Sequence, residues 1–345
     1  MSETPAPARS GWGSKLKPEP FVLVLVGAVV LASVLPVRGE AAKDFDLLGK
    51  AAIALLFFLH GARLPRAAVL AALGHWRLHL TVLAITFGLF PVLGLLAAWL
   101  ARPLLPEPLP SGLIFLACLP STVQSSIAFT SVARGDVAAA VTSASLSNVL
   151  GMVATPVLVA LLLGSQAGGI SYAALEAIGL QLLAPFILGQ VLRGWIGAWV
   201  DRRKRLLTFT DRGTIALIVY LAFSAAVVAG VWSRISPPQV ALVLAACAAL
   251  LATVIATAAA AARKLGFSKE DEIAIVFCGS KKTLTGVAMA GILFPAAVAG
   301  AIVLPLMIFH QLQLMVCAVL AQRYAARPRD LDDLPRADLA DRLQV

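Results

Sequence analysis

Charge is what this sequence has least of. Only 13% of its 345 residues are Asp, Glu, Lys or Arg, against about 25% in ordinary soluble domains. Hydrophobic residues make up 60%, and the mean hydropathy is +0.90. Such a composition excludes a soluble domain and describes a polytopic membrane protein. Cysteine is scarce as well. Cys118, Cys247, Cys278 and Cys317 lie singly in apolar segments with no CxxC pair. That excludes a disulfide framework and a thiolate metal cluster, and leaves them as small hydrophobes. The apolar segments hold no paired carboxylate, no HExxH and no GxSxG, and Ser280 beside Lys281 does not by itself make a catalyst. An enzyme is not expected, nor a cofactor beyond a coupling ion. The net charge of +10 lacks aromatic interleaving, so it does not point to nucleic acid.

What is present is a series of apolar runs. They fall at 21–37, 47–62, 78–101, 111–132, 137–163, 170–196, 214–231, 240–262, 273–294 and 296–322, which makes ten spans of an all-α protein. The second is the shortest clean core, because Lys50 and His60 intrude. Lys15 and Lys17 ahead of the first run mimic a signal peptide, but no small-residue cleavage site follows. Residues 1–20 read as a disordered cytoplasmic tail, 21–324 as the membrane domain, and 325–345 as a solvated cytoplasmic tail. Arg outnumbers Lys, 19 to 9, and Ala abounds, which fits a bacterial inner membrane.

Loop charge tests the count. With ten spans, the side that holds both termini carries 20 Lys and Arg, the other side carries Arg38, Lys43, Arg102 and Arg234, and four lie within spans. Adding or losing one early span scatters this bias, so both ends are placed on the positive, cytoplasmic side. Ten spans divide into two sets of five, and an odd number per set turns the second set upside down, as in inverted-repeat transporters.

The fourth span of each set is then its counterpart in the other. The first holds Leu119-Pro120-Ser121-Thr122-Val123-Gln124-Ser125-Ser126, and the second holds Cys278-Gly279-Ser280-Lys281-Lys282-Thr283-Leu284-Thr285-Gly286. Pro120 removes a backbone donor, and Gly279 and Gly286 tolerate non-helical dihedrals, so both stretches are candidates for unwound crossings at mid-membrane. Two lysines facing lipid would cost about 5–7 kcal/mol, which forces Lys281 and Lys282 toward protein or water. The alternatives are lysines that snorkel from a surface turn, and Ser and Thr that merely join helices.

With Ala133-Arg134-Gly135-Asp136, Ser147-Asn148 and Thr155-Pro156, these motifs resemble the bile acid:sodium symporter superfamily, and within it the bacterial branch similar to the seventh member of the human bile-acid carrier family. The likeness runs over roughly residues 20 to 325. It implies a panel domain of spans 1, 2, 6 and 7 and a core domain of spans 3–5 and 8–10. Spans 4 and 9 break and cross, and an organic anion is held between the domains. A substrate of bile-acid, steroid-sulfate or carboxylate type follows, with sodium or a proton as the coupling ion. The site residues implied are Ser121, Thr122, Gln124, Ser125, Ser126, Ser143, Ser147, Asn148, Gly279, Ser280, Lys281, Lys282, Thr283 and Thr285, with any sodium at Ser125, Ser126 and Ser143.

The family's acidic ion ligand in the ninth span is missing here; Cys278 or Gly279 stands in its place, with Lys281 and Lys282 beyond. A fixed ammonium repels sodium. One lysine is therefore expected in the electrostatic position of the ion, giving sodium-independent transport linked to protons. The alternative places both lysines in a cytoplasmic vestibule, where they attract anions. His60, His310, Gln311 and Gln313 read first as helix-to-helix hydrogen-bonding groups, and His75 and His79 as membrane-interface residues. A rival function is a regulator of ion homeostasis that keeps a transporter fold without transport.

The loop asymmetry makes a direct prediction. A fluorescent protein fused after Val345 should glow and a phosphatase fused there should be inactive; the opposite pattern removes the ten-span topology.

Overall fold

The computed structural model describes residues 20–63, 74–163 and 179–327. The two expected tails, apart from their innermost residues, and the start of the sixth span at 170 lie outside them. Among the described residues all regular structure is helical. In chain order the elements are α1 (Pro20–Val34), α2 (Glu40–Arg63), α3 (Trp76–Ala101), α4 (Leu109–Cys118), α5 (Gln124–Val132) and α6 (Val137–Leu163). There follow α7 (Leu180–Arg202), α8 (Arg205–Val228), α9 (Pro237–Lys264), α10 (Lys269–Gly279), α11 (Gly286–Leu293) and α12 (Ala296–Ala325). Seven of them, α2, α3, α6, α7, α8, α9 and α12, are long and apolar enough to cross a membrane. The protein is an integral membrane protein with broad exposed apolar faces, such as Leu23, Val26, Val30 and Val34 on α1 and Trp195 and Trp199 on α7.

Local chemistry sets the helix ends. Asp136 Oδ1 accepts the Ala139 N–H at 2.8 Å and starts α6, and Ser268 Oγ accepts the Asp271 N–H at 3.1 Å and starts α10. Glu270, Asp271 and Glu272 fill the first turn of α10, where carboxylates oppose the positive helix end. α4 and α5 are separated by residues 119–123, and α10 and α11 by residues 280–285.

Packing sorts the helices. α1, α2, α7 and α8 lean on one another, while α3 to α6, α9, α10 and α12 form a second body; α8 meets it through α11 and α12. The tightest approach joins α2 and α7. A Cβ on Gly61 would stand 2.0 Å from the carbonyl oxygen of Phe186, and one on Gly189 2.0 Å from that of Phe58. Two backbones meet where each helix has no side chain, the small-residue packing of membrane bundles. At one end of the second body, Arg327 donates to the carbonyls of Ala133 at 2.9 Å and Arg134 at 3.0 Å, and pairs with Glu270. Arg134, itself at a φ of 58°, donates back to Arg327 O at 2.6 Å. The chain leaving α12 is thereby tied to the end of α5 and the start of α10.

His79, in the first turn of α3, is buried, and its Nδ1 shares a 2.7 Å hydrogen bond with Ser143 Oγ. Its polarity is satisfied by α6 rather than by headgroups.

Gly61→Ala and Gly189→Ala should each destabilise the protein by about 1–3 kcal/mol through overpacking. Gly213→Ala, with nothing within 4 Å of the added methyl, should be neutral or stabilising. Melting temperatures in one detergent decide it; equal tolerance at all three positions contradicts the α2–α7 contact.

Candidate functional site

The two helix interruptions touch: the Thr283 N–H donates to Pro120 O at 3.0 Å. Unwound backbone inside an apolar body must find a partner for each polar group, and the first interruption can be followed carbonyl by carbonyl. Ala117 O would pair with residue 120 or 121, but Pro120 has no N–H and the Ser121 N–H turns to Ser147 Oγ at 3.1 Å. Lys282 Nζ takes Ala117 O at 2.8 Å and Leu119 O at 2.6 Å. Thr155 Oγ1 donates to Cys118 O at 2.8 Å, Thr283 N–H to Pro120 O, and Asn148 Nδ2 to Ser121 O at 2.7 Å.

A third carbonyl reaches Lys282 for a related reason. In the π turn Ile85–Leu89 of α3, the Phe90 N–H donates to Ile85 O, and the next residue, Pro91, has no N–H to give Thr86 O. Lys282 Nζ donates to Thr86 O at 3.0 Å, which engages all three of its N–H groups, and lies 4.0 Å from the Phe90 ring centre. The backbone of Lys282 is fixed in turn: its N–H donates to Gln313 Oε1 at 2.8 Å and its carbonyl accepts from Gln313 Nε2 at 2.9 Å. Gln313 Nε2 also meets His310 Nδ1 at 2.8 Å.

Lys281 points elsewhere. Its Nζ donates to Ser125 O at 2.7 Å and stands 4.1 Å and 5.0 Å from the ring centres of Phe129 and Phe277. Both lysines are 0% exposed, so the snorkelling alternative does not hold. The negative end of α10 is closed by hydroxyls, since Ser126 Oγ donates to Phe277 O at 3.0 Å and Ser280 Oγ to Val276 O at 2.6 Å.

Beside these breaks lies a cavity of about 1650 Å³ between α2 and α8 on one side and α5, α6 and α12 on the other. Of the residues expected in the site, Thr122, Gln124, Ser125, Asn148, Thr283 and Thr285 line it. Ser121, Ser126, Ser147, Gly279, Ser280 and both lysines stand behind that wall as its supports. A solute in the cavity therefore senses the ammonium groups through Ser125 and Phe129, not by contact. Of the three hydroxyls suggested for sodium, Ser143 hydrogen-bonds His79 and Ser126 donates to Phe277 O. Among the fifth-span hydroxyls it is Ser145 that faces the cavity.

Sequence reasoning did not reach Arg63 and Asp211, which pair across α2 and α8 on the cavity wall. Nor did it reach Thr86, whose contribution is a backbone carbonyl with no side-chain signature. Close approach at the floor again uses missing side chains: a Cβ on Gly286 would stand 2.3 Å from Leu119 Cδ1, and one on Gly151 2.5 Å from Pro120 Cβ.

The chain is similar to known membrane transport proteins. A profile of the SBF-like CPA transporter family matches residues 19–326. The putative symporter YfeH of Escherichia coli K12 is 52% identical to this chain, covering 91% of it and 95% of that protein. An uncharacterised Pseudomonas aeruginosa protein is 56% identical over 91% of this chain and 95% of its own length. The sodium/bile acid cotransporter 7 of Mus musculus is 28% identical, covering 87% and 89%. In three dimensions the sodium proton antiporter MjNhaP1 of Methanocaldococcus jannaschii superposes with a TM-score of 0.55 at 15% identity, over 89% of this chain and 92% of that one, a likeness of fold.

Lys282→Met should strip three buried carbonyls of their donor, at about 1–3 kcal/mol each. Lys281→Met strips one. Thermal unfolding of the purified proteins should therefore show the larger loss for Lys282→Met, and a larger loss for Lys281→Met contradicts the assignment of partners.

Proposed function

The chain belongs to the SBF-like CPA transporter family, and we propose that it is a secondary active transporter carrying a small organic anion across the bacterial inner membrane. In this reading ten spans form two inverted five-helix repeats with both ends cytoplasmic. α1, α2, α7 and α8 are the panel domain and the other helices the core domain. The pairs α4/α5 and α10/α11 are the broken fourth and ninth spans. Support comes from the two packing groups and from the touching interruptions. The names of the relatives, one a symporter and one a sodium/bile acid cotransporter, point the same way.

The observation that carries the reading is the polarity of the cavity floor. The negative ends of α4 and α10 are closed by Lys282, Thr155, Ser126 and Ser280. The positive ends of α5 and α11 have no side-chain cap, and Thr122 to Ser125 and Thr283 to Thr285 face the cavity. The N–H groups of Thr285, Gly286 and Val287 already donate to Thr283 Oγ1, Thr283 O and Leu284 O, so what these ends offer a carboxylate or sulfate is their partial positive charge. The volume of about 1650 Å³ exceeds the roughly 300–1,000 Å³ of ordinary small-molecule pockets and has room for a steroid-sized body.

Coupling follows from the lysines. Lys282, its ammonium held by three carbonyl acceptors, takes the electrostatic position of a bound sodium ion. Lys281, whose single hydrogen bond among the described residues is to Ser125 O, carries the exchangeable proton. Protonated Lys281 attracts an anion through the Ser125 wall and a bound anion favours that proton, so each promotes the other by linkage. Moving one helix group against the other then exposes the loaded site to the opposite side.

The test is uptake of a panel of organic anions into proteoliposomes under imposed gradients. A proton gradient should drive accumulation, a sodium gradient should not, and Lys281→Met should abolish the proton dependence. Uptake driven by sodium alone, and unchanged in Lys281→Met, overturns the proposal.

A further inference from the structure

The side of α6 that borders the cavity carries polar atoms that the anion floor at the breaks does not use. Asn148 gives its Nδ2 hydrogens to two carbonyls, Ser121 O at 2.7 Å and Ala144 O at 3.2 Å. Turning the amide over would set its oxygen against both carbonyl oxygens, so its orientation is fixed and Oδ1 can only accept. Oδ1 has no donor among the described residues and keeps accessible surface, and Asn148 lines the cavity. Ser145 lines it too, and its Oγ is likewise accessible and without a partner among the described residues. Positions 145 and 148 are neighbours on one helical face, which continues through Val149 and Met152 as apolar wall.

A fixed acceptor beside an unengaged hydroxyl discriminates among polar groups. A carboxylate or sulfate oxygen has no proton for Oδ1 and is repelled by it. A cation would find two oxygens here, but the positive end of α5 and the Lys281 ammonium behind Ser125 oppose it. A neutral hydroxyl donates to Oδ1 and accepts from Ser145. The amide also sets the distance to the charged end of a solute. Because Nδ2 is 2.7 Å from Ser121 O, Oδ1 lies within about 5 Å of that carbonyl, and α5 begins three residues on, at Gln124. A hydroxyl at Oδ1 and a carboxylate at that helix end are thus close enough to belong to neighbouring carbons.

We propose that Ser145 and Asn148 form a hydroxyl-binding position, and that the cargo is a hydroxy acid whose O–H stands one or two carbons from its carboxylate, with an apolar body against Val149 and Met152. It rests on the cavity being the path of an organic anion, and it narrows the class of that anion.

The experiment is equilibrium binding of radiolabelled 2-hydroxyhexanoate, hexanoate and 2-methoxyhexanoate to the full-length protein in phosphatidylcholine nanodiscs, with protein-free discs subtracted. The hydroxy acid should bind about tenfold more tightly than hexanoate, the worth of one or two neutral hydrogen bonds. The methoxy acid keeps an acceptor for Ser145 but brings no proton to Oδ1, so it should bind no better than hexanoate. Ser145→Ala breaks no hydrogen bond among the described residues, which keeps folding out of the comparison. It should weaken the hydroxy acid about fivefold, the worth of one such bond, and leave hexanoate unchanged. Replacing sodium by choline should alter none of these values.

No measurable binding of the hydroxy acid, equal binding of it and hexanoate, a methoxy acid that matches it, or a preference untouched by Ser145→Ala overturns the position. A preference that disappears without sodium assigns the two oxygens to a cation and overturns it as well. Because no gradient is involved, a failed uptake assay leaves a positive binding result standing, whereas equal binding of hydroxy acid and hexanoate with intact anion uptake removes the hydroxyl position alone.

Discussion

An apolar surround offers backbone no hydrogen bonds, and this protein interrupts its helical structure at 119–123 and 280–285 among buried residues. Everything around the breaks answers that demand. Lys282, Thr155 and Asn148 close the carbonyls left by Pro120, while Ser147 and Gln313 take up the displaced N–H groups. Residues that look like a binding constellation in sequence thus divide into two layers. One layer faces the cavity, and the other holds that layer in place.

Closing only the carbonyl ends has an electrostatic outcome. Each interrupted helix presents one negative and one positive terminus at the break. Here the negative termini receive an ammonium or hydroxyl donors from neighbouring helices, whereas the positive termini border the cavity. On the proposed transport reading, this asymmetry is what draws an anion to a floor that carries no cation. Arg63 and Asp211 add little net charge to the wall because they offset each other.

Much of this was legible in the residues. A proline flanked by hydroxyls and a pair of lysines between glycines announced the interruptions. The direction in which each lysine points was not legible, because the partners of Lys282 are backbone carbonyls of Thr86, Ala117 and Leu119, and carbonyls have no residue identity. Pro91 was the one available sign that Thr86 O needed a donor. Arg63 and Asp211 were hidden for a different reason: both lie at span ends where basic runs set topology, so Arg63 was counted as an orientation signal and its acidic partner was not weighed. The partner of His79 was not legible either, because a histidine near a helix start resembles a headgroup anchor until Ser143 of α6 is seen beside it.

The three-carbonyl seat of Lys282 has a consequence for the conditions in which the protein can hold its shape. A dissociable ion stabilises a fold by an amount that rises and falls with its concentration, through RT ln(1 + [L]/Kd). A cation joined to the chain by four methylenes has no such dependence: its local concentration is set by the length of its tether, and its translational entropy was surrendered when the peptide bond was made. Dilution, chelation or a change of external salt cannot empty the seat. The carbonyls of Thr86, Ala117 and Leu119 therefore keep their donor whatever the sodium or potassium concentration on either side of the membrane.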